Sequence, residues 1–202
     1  MNSTPRLACI FLAAGHSTRF GSNKLLATFR GQPLIETIFS SFPCECFQHT
    51  TVVTRYSQVA KSAIQHGFSV TRLTCAESTL SQSIQRGILS LPDGLEGCLF
   101  SVCDQPLLHP QTILRMVAAF HANPHAIVAV SWQGQRGNPV LFPAALFSEL
   151  AALQPHQSGN AVIARYPTRL QLVEVKNPWE LADIDRASDL MSLENNRLNH
   201  TG

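Results

Sequence analysis

Leu7-Ala-Cys-Ile-Phe-Leu-Ala-Ala-Gly-His-Ser-Thr-Arg-Phe-Gly-Ser-Asn-Lys24 carries two signals back to back. Residues 7–12 form a continuous apolar run, the pattern of a strand buried on both faces. Residues 12–24 are rich in glycine, hydroxyl and basic side chains, the pattern of a loop that receives an anion. In open α/β sheets, ligands gather beyond the carboxyl ends of the strands, so this order of strand and loop predicts a parallel sheet with a ligand at its edge.

The rest of the chain repeats the alternation. Spacing predicts a helix over 33–41, with Pro33 at an early position where its missing N–H is no loss. Residues 50–54 are β-branched and strand-like. Residues 57–66 have helical spacing, and Gly67 follows as a stop. A strand is expected over 68–73 and a helix over 80–91, with Ile84, Ile88 and Leu91 on one stripe. Residues 98–103 read as a buried strand ending just before Asp104. A helix over 110–121 and a strand over 126–130 follow. Buried strands separated by helices predict an α/β fold, a three-layer, doubly wound, mostly parallel sheet. After Ser131 the rhythm changes to a polar, Gly-rich stretch over 133–138 that leads into 139–142. Helices are expected over 144–153 and 158–165, a late strand over 170–175 and a last helix over 185–193. Residues 1–193 read as a single domain and 194–202 as a polar, frayed tail.

Composition bounds the function. The chain has 202 residues, 45% hydrophobic and 14% charged, with a net charge of +2. A domain of this length buries roughly 70% of its unfolded surface and needs no disulfide or metal to hold it together. The charge is too small to imply nucleic acid as a partner. No apolar run approaches bilayer length, and no secretory leader is read, so no membrane partner is expected. Cys9, Cys98 and Cys103 lie in apolar runs and read as small buried hydrophobes. Cys44 and Cys46 form a CxC pair without a companion Cys/His pair at zinc spacing, which leaves a labile metal site as the lesser reading. Together with Cys75, these are read as free thiols of a reducing cytoplasm.

Within 12–24, Gly15 and Gly21 let the backbone turn and approach a ligand, and Ser17, Thr18 and Ser22 add hydroxyl donors. Arg19 supplies a planar fork and Lys24 a compact point charge. The loop lacks GK[ST], so it is not a Walker A loop. It also lacks the GxGxxG spacing, which removes the main support for a nicotinamide-dependent oxidoreductase. Asp104 ends a buried strand before Pro106, as a turn-former or as a Mg²⁺ ligand. Asp185 is either a second such ligand or the N-cap of the last helix.

The segment Leu12-Ala-Ala-Gly-His-Ser-Thr-Arg-Phe-Gly-Ser-Asn-Lys24 resembles the signature of nucleotidyltransferases that act on the molybdenum cofactor, within the broader sugar-nucleotide pyrophosphorylase-like family. The resemblance recurs in order at Cys103-Asp-Gln-Pro-Leu107, Arg136-Gly-Asn-Pro-Val-Leu-Phe142 and Asp183-Ile-Asp185. It implies that Leu12, Ala13, Ala14, Gly15, Ser17, Arg19, Gly21 and Lys24 bind a nucleoside triphosphate. Lys24, Arg19 and Asp104 would be catalytic, and Asp104 and Asp185 would hold Mg²⁺, with Asp183 the alternative if the alignment slips by two. Ser81 and Ser83 are candidate contacts to base and ribose, or else helix caps. Thr79 stands where the family usually carries glycine. Gly137, Asn138 and Pro139 resemble the acceptor loop, with Trp132 as a candidate wall. Ser158-Gly-Asn160 lacks an arginine that relatives often carry.

The Ala13-Ala14-Gly15 spelling resembles the cytidylyl-transferring members, so CTP is favoured over GTP. The implied reaction transfers CMP to the terminal phosphate of a molybdopterin-type acceptor and releases pyrophosphate, with a molybdoenzyme as client. The alternatives are another phosphorylated acceptor, such as a sugar phosphate, or a non-catalytic cofactor carrier.

Overall fold

Period-two alternation in the first strand sets the layering of the whole molecule. The computed structural model describes residues 6–74 and 79–195. In β1 (Leu7–Leu12), Leu7, Cys9 and Phe11 enter one core while Ala8 and Ile10 enter the other. Then come β2 (Thr28–Phe29), β3 (Gln32–Pro33), α1 (Leu34–Ser41), β4 (His49–Thr54), α2 (Ser57–Gln65), β5 (Ser69–Arg72) and α3 (Leu80–Leu89). The second half holds β6 (Gly97–Val102), α4 (Pro110–Ala122), β7 (Ile127–Trp132), β8 (Gln135–Pro143), α5 (Phe147–Ala151), α6 (Gly159–Arg165), β9 (Leu170–Glu174) and α7 (Ala187–Asn195).

Among the described residues, seven strands form one sheet in the order β5-β4-β1-β6-β8-β7-β9, and β2 and β3 pair separately. All neighbours in the large sheet are parallel except β8, which runs antiparallel to both β6 and β7. Helices α1, α2, α4 and α7 cover one face, and α3, α5 and α6 the other. The mostly parallel three-layer α/β sheet expected from the sequence is therefore what the chain forms. Because β1 lies between β4 and β6, the chain leaves β1 to one side and returns on the other. The carboxyl ends of β1 and β6 consequently open a crevice at the topological switch point.

Close packing of α3 over β1 depends on Gly87. A Cβ built there would lie 2.9 Å from Ile10 Cγ2 and 3.2 Å from Val53 Cγ2. The helix that carries Thr79 at its N-terminus is thus pressed onto the strand that carries the loop.

Several sequence expectations need correction. The polar stretch over 133–138 is a turn and the start of a strand: Gln133 and Gly134, both at positive φ (50° and 75°), make a tight hairpin between β7 and β8 (Gln135–Pro143). The helix over 33–41 begins at Leu34, with Pro33 as its N-cap. The helix over 80–91 ends at Leu89. The helix over 144–153 is a 3-10 turn, Ala144–Leu146, followed by the short α5, and this keeps both Leu146 and Leu150 in the same core. The helix over 185–193 starts at Ala187 and runs into the expected tail as far as Asn195, because Leu190 and Leu193 are buried. Glu194, in that tail, accepts from the Arg30 N–H at 2.7 Å. Cys75 and residues 196–202 lie outside the described residues.

Candidate functional site

The apolar run of β1 stops at Leu12, and the loop beyond it passes over the end of β6. Phe20 and Gly21 donate their N–H groups to the Ser17 carbonyl at 2.9 and 3.2 Å, closing a turn in which Ser17 and Gly21 have positive φ. Asn23 then caps a 3-10 turn by accepting from Leu25 N–H at 3.1 Å, which aims Lys24 back toward the sheet. An open cleft of about 580 Å³ results. It is lined by Leu12, Ala13, Gly15, Ser17, Thr18, Arg19, Lys24, Leu25, Cys103, Asp104 and Asp185.

Lys24 is the hub of this cleft. An ammonium has three donor hydrogens, and here it has three oxygen neighbours. Its Nζ lies 2.8 Å from Asp104 Oδ2, 2.6 Å from the Ile184 carbonyl and 3.4 Å from Asp185 Oδ1. Arg19 Nη1 reaches Asp185 Oδ2 at 2.9 Å. The Lys24 side chain is 13% exposed and the Arg19 side chain 65%. The lysine pair is therefore strongly felt, whereas the arginine pair is screened by water and free to re-aim. The carboxylates of Asp104 and Asp185, 81 positions apart, meet only because α7 and the turn before it pack back across the sheet: Ile184 N–H donates to the Asp104 carbonyl at 2.9 Å.

Asp185 does not cap the last helix. Asp189, in the first turn, reaches back instead and accepts from the N–H groups of Asp185 (3.0 Å) and Arg186 (2.7 Å). Those bonds hold the Asp189 carboxyl below the usual aspartate range. Asp183 faces elsewhere: it accepts from Gln105 Nε2 at 2.9 Å. Burial, and then the charge of Asp104, push its carboxyl upward, against the Gln105 hydrogen bond. Asp185, not Asp183, is the residue placed on Lys24.

The other expected residues divide. Ala14 is buried in the core rather than lining the cleft. Ser81 and Ser83 are buried inside the α3 N-terminus, where Ser81 Oγ meets Thr79 Oγ1 at 2.9 Å and Ser83 Oγ donates to the Thr79 carbonyl at 3.1 Å. The cap itself is Thr79, reciprocated by Gln82. Neither serine lines the Lys24 cleft.

A second cleft of about 580 Å³ shares Leu12 with the first. Leu80, Ile84, Phe100, Val140, Phe142 and Ile163 give it an apolar floor, and Asn138, Ser158 and Asn160 add polar groups. Of the expected acceptor loop, Asn138 lines this cleft; Gly137 packs toward Leu181, and Pro139 is buried. Arg136 Nη2 donates to Asn160 Oδ1 at 3.0 Å, tying the two motifs together. Trp132 is not a wall of this cleft, because it packs against the opposite core.

Sequence reasoning missed the Ile184 carbonyl, Asn23, and Phe100 and Phe142. A backbone acceptor has no sequence signature. Asn23 could have been found as an N-cap before a short apolar pair. Cys44 is exposed and Cys46 half-buried, and among the described residues no group of three or more His, Cys, Asp or Glu side chains could hold a metal. The buried Cys9, Cys98 and Cys103 are free thiols whose pKa is raised by burial. No described helix is long and apolar enough to cross a membrane.

The profile of the MobA-like NTP transferase domain matches residues 9–171. The chain is 25% identical over 193 residues to the purine catabolism protein PucB of Bacillus subtilis, covering 90% of this chain and 93% of PucB. It is equally 25% identical over 193 residues to a probable molybdenum cofactor guanylyltransferase of Thermococcus sibiricus, covering 92% and 96%. In fold it is similar to a nucleotidyl transferase from Methanothermobacter thermautotroptrophicus, with a TM-score of 0.79, 22% identity and coverage of 96% and 98%.

Proposed function

Because the chain belongs to the family of MobA-like NTP transferase domains, we propose that it transfers CMP from CTP to the terminal phosphate of a molybdopterin-type cofactor. The observation that carries the proposal is Lys24, held between Asp104 and Asp185 at the mouth of the β1 loop. A terminal phosphate oxygen of the acceptor attacks the α-phosphorus. A new P–O bond forms, the bond from the α-phosphorus to the bridging oxygen breaks, and pyrophosphate leaves with the electron pair. No protein nucleophile is needed, so the protein's task is to position two anions and offset their repulsion. The loop amides and hydroxyls receive the phosphates. Arg19, largely exposed, swings onto the leaving oxygens. Lys24 neutralises charge on the α-phosphate side.

Charge balance supports a divalent cation. Arg19 and Lys24 are already matched by Asp104 and Asp185, so a triphosphate entering alone would add uncompensated negative charge. Mg²⁺ fits the residues present. Asp104 Oδ1 is buried without a hydrogen-bond partner, and Mg²⁺ takes one or two protein carboxylates plus phosphate oxygens and water. Asp104 and Asp185 would hold it, and it would supply Lewis-acid neutralisation of the phosphate oxygens.

The apolar second cleft with Asn138, Ser158 and Asn160 at its edge suits a flat ring system carrying a phosphate toward Leu12. The choice of CTP rests on the resemblance of the Ala13-Ala14-Gly15 spelling to cytidylyl-transferring members, since the Ala14 side chain itself is in the core. The relative named a guanylyltransferase favours GTP as the second reading. A matrix of the four nucleoside triphosphates against molybdopterin and several sugar phosphates, with and without Mg²⁺, reads pyrophosphate. Release is expected with CTP, molybdopterin and Mg²⁺ together. A preference for GTP would overturn the base, and release with sugar phosphates alone would overturn the acceptor. Cofactor binding with no pyrophosphate in any arm would make the chain a carrier.

A further inference from the structure

Three consecutive carbonyls of the β1 loop are each taken by one of three consecutive side chains. Thr54 Oγ1 donates to the Ala13 carbonyl at 2.9 Å, Arg55 Nε to the Ala14 carbonyl at 3.0 Å, and the Tyr56 hydroxyl to the Gly15 carbonyl at 2.8 Å. Thr54 Oγ1 also accepts from the Tyr56 N–H at 3.1 Å, so the first and third of these residues are themselves linked. The Ala13 N–H closes the set on the Val53 carbonyl at 2.9 Å. Thr54 is fully buried.

We infer that Thr54, Arg55 and Tyr56 form a brace that positions the loop for phosphate. In a planar trans peptide, the carbonyl and the following N–H point in opposite directions. The carbonyls of Ala13, Ala14 and Gly15 are drawn toward the end of β4, so the N–H groups of Ala14, Gly15 and His16 turn away from it. β1 lies between β4 and β6, and the cleft is lined by Cys103 and Asp104, just beyond β6. The three amides therefore turn to the β6 side of the loop, where Gly15 lines the cleft, as a row of donors suited to anionic oxygens. Side chains that hold the row fixed before the ligand arrives reduce the ordering cost of binding. Thr54, Arg55 and Tyr56 do not line the cleft and act through the loop, as positioning residues. Their role rests on the reading of 12–24 as a triphosphate loop.

Tyr56→Phe removes one hydroxyl from a solvent-accessible position and leaves the ring. Titration calorimetry with CTP and GTP is expected to show affinity reduced about three- to tenfold, the effect of one lost hydrogen bond, with the thermal midpoint unchanged. Binding of the corresponding nucleoside, which has no phosphate, should stay at the wild-type value. Thr54→Val should lower triphosphate affinity in the same way, and Thr54→Ser should restore it. Lys24→Ala, measured alongside, tests the underlying reading. If Lys24→Ala weakens triphosphate binding while Tyr56→Phe and Thr54→Val bind as wild type, the brace is overturned and the nucleotide site stands. If all three bind as wild type, the nucleotide reading of the loop falls and the brace falls with it.

Discussion

Lys24 spends all its hydrogen-bond capacity on the protein's own oxygens, which makes it both a structural and a chemical residue. Its three acceptors come from two distant segments of the chain, and Asp104 and Asp185 would repel each other without it. Both carboxylates keep contact with water, at 24% and 37% exposure, so the repulsion left by loss of the ammonium is partly screened and lowers stability without undoing the fold. Lys24→Ala is therefore expected to keep the wild-type circular dichroism spectrum. Its kcat should fall roughly 100- to 1,000-fold, the usual effect of removing a preorganised group that stabilises developing charge. Near wild-type turnover in the pyrophosphate assay would remove Lys24 from the chemistry. The place of this residue in the cleft was legible in the sequence, since a lysine closes the glycine- and hydroxyl-rich loop. Its partnership with the Ile184 carbonyl was not, because a main-chain oxygen looks the same at every position.

At the scale of the element, α3 shows how packing overrides propensity. Glycine inside a helix costs about 1 kcal/mol relative to alanine, yet Gly87 lies on the buried face of α3 against Ile10 and Val53. Those side chains are fully buried in two central strands and have little room to retreat. Gly87→Ala should gain helix propensity and lose more to overpacking, typically 1–3 kcal/mol. The net expectation is a loss of about 1 kcal/mol, read as a lower urea midpoint at unchanged slope; a higher midpoint would show that β1 and β4 yield. Elsewhere the sequence was informative wherever a strand was buried on both faces, as in β1, β6 and β7. It was uninformative in β8, whose first residues are polar and partly exposed and whose turn uses glutamine at positive φ rather than asparagine or aspartate. The hairpin joins β8 to β7 locally, but its antiparallel pairing with β6 is long-range, and no local pattern specifies it. The same limit applies to Ser81 and Ser83: spacing put them near the start of α3, but only the fold shows that their hydroxyls turn inward to Thr79.

At the scale of the whole molecule, the site joins segments that are far apart in sequence. The loop at 12–24 comes from the first strand, Asp104 follows the fourth strand of the large sheet in chain order, and Ile184 and Asp185 precede the last helix. A ligand in this cleft bridges the start, the middle and the end of the chain, so its binding is linked to global unfolding rather than to one loop. Ligand that binds only the folded state stabilises by about 2.7 kcal/mol at a hundredfold excess over Kd. For a chain of this length that corresponds to roughly 5–10 °C in Tm. The magnitude should depend on the cation. With Mg²⁺ present, the carboxylates of Asp104 and Asp185 would serve as its ligands; without it they would face the triphosphate as like charges. Differential scanning fluorimetry with CTP is thus expected to give the full shift with Mg²⁺ and a much smaller one with a chelator, while Mg²⁺ alone moves Tm little. Asp104→Asn should abolish the difference between the two conditions. An equal shift with and without Mg²⁺ would mean that Arg19 and Lys24 suffice to hold the triphosphate, and that the two aspartates serve only to hold Lys24 in place.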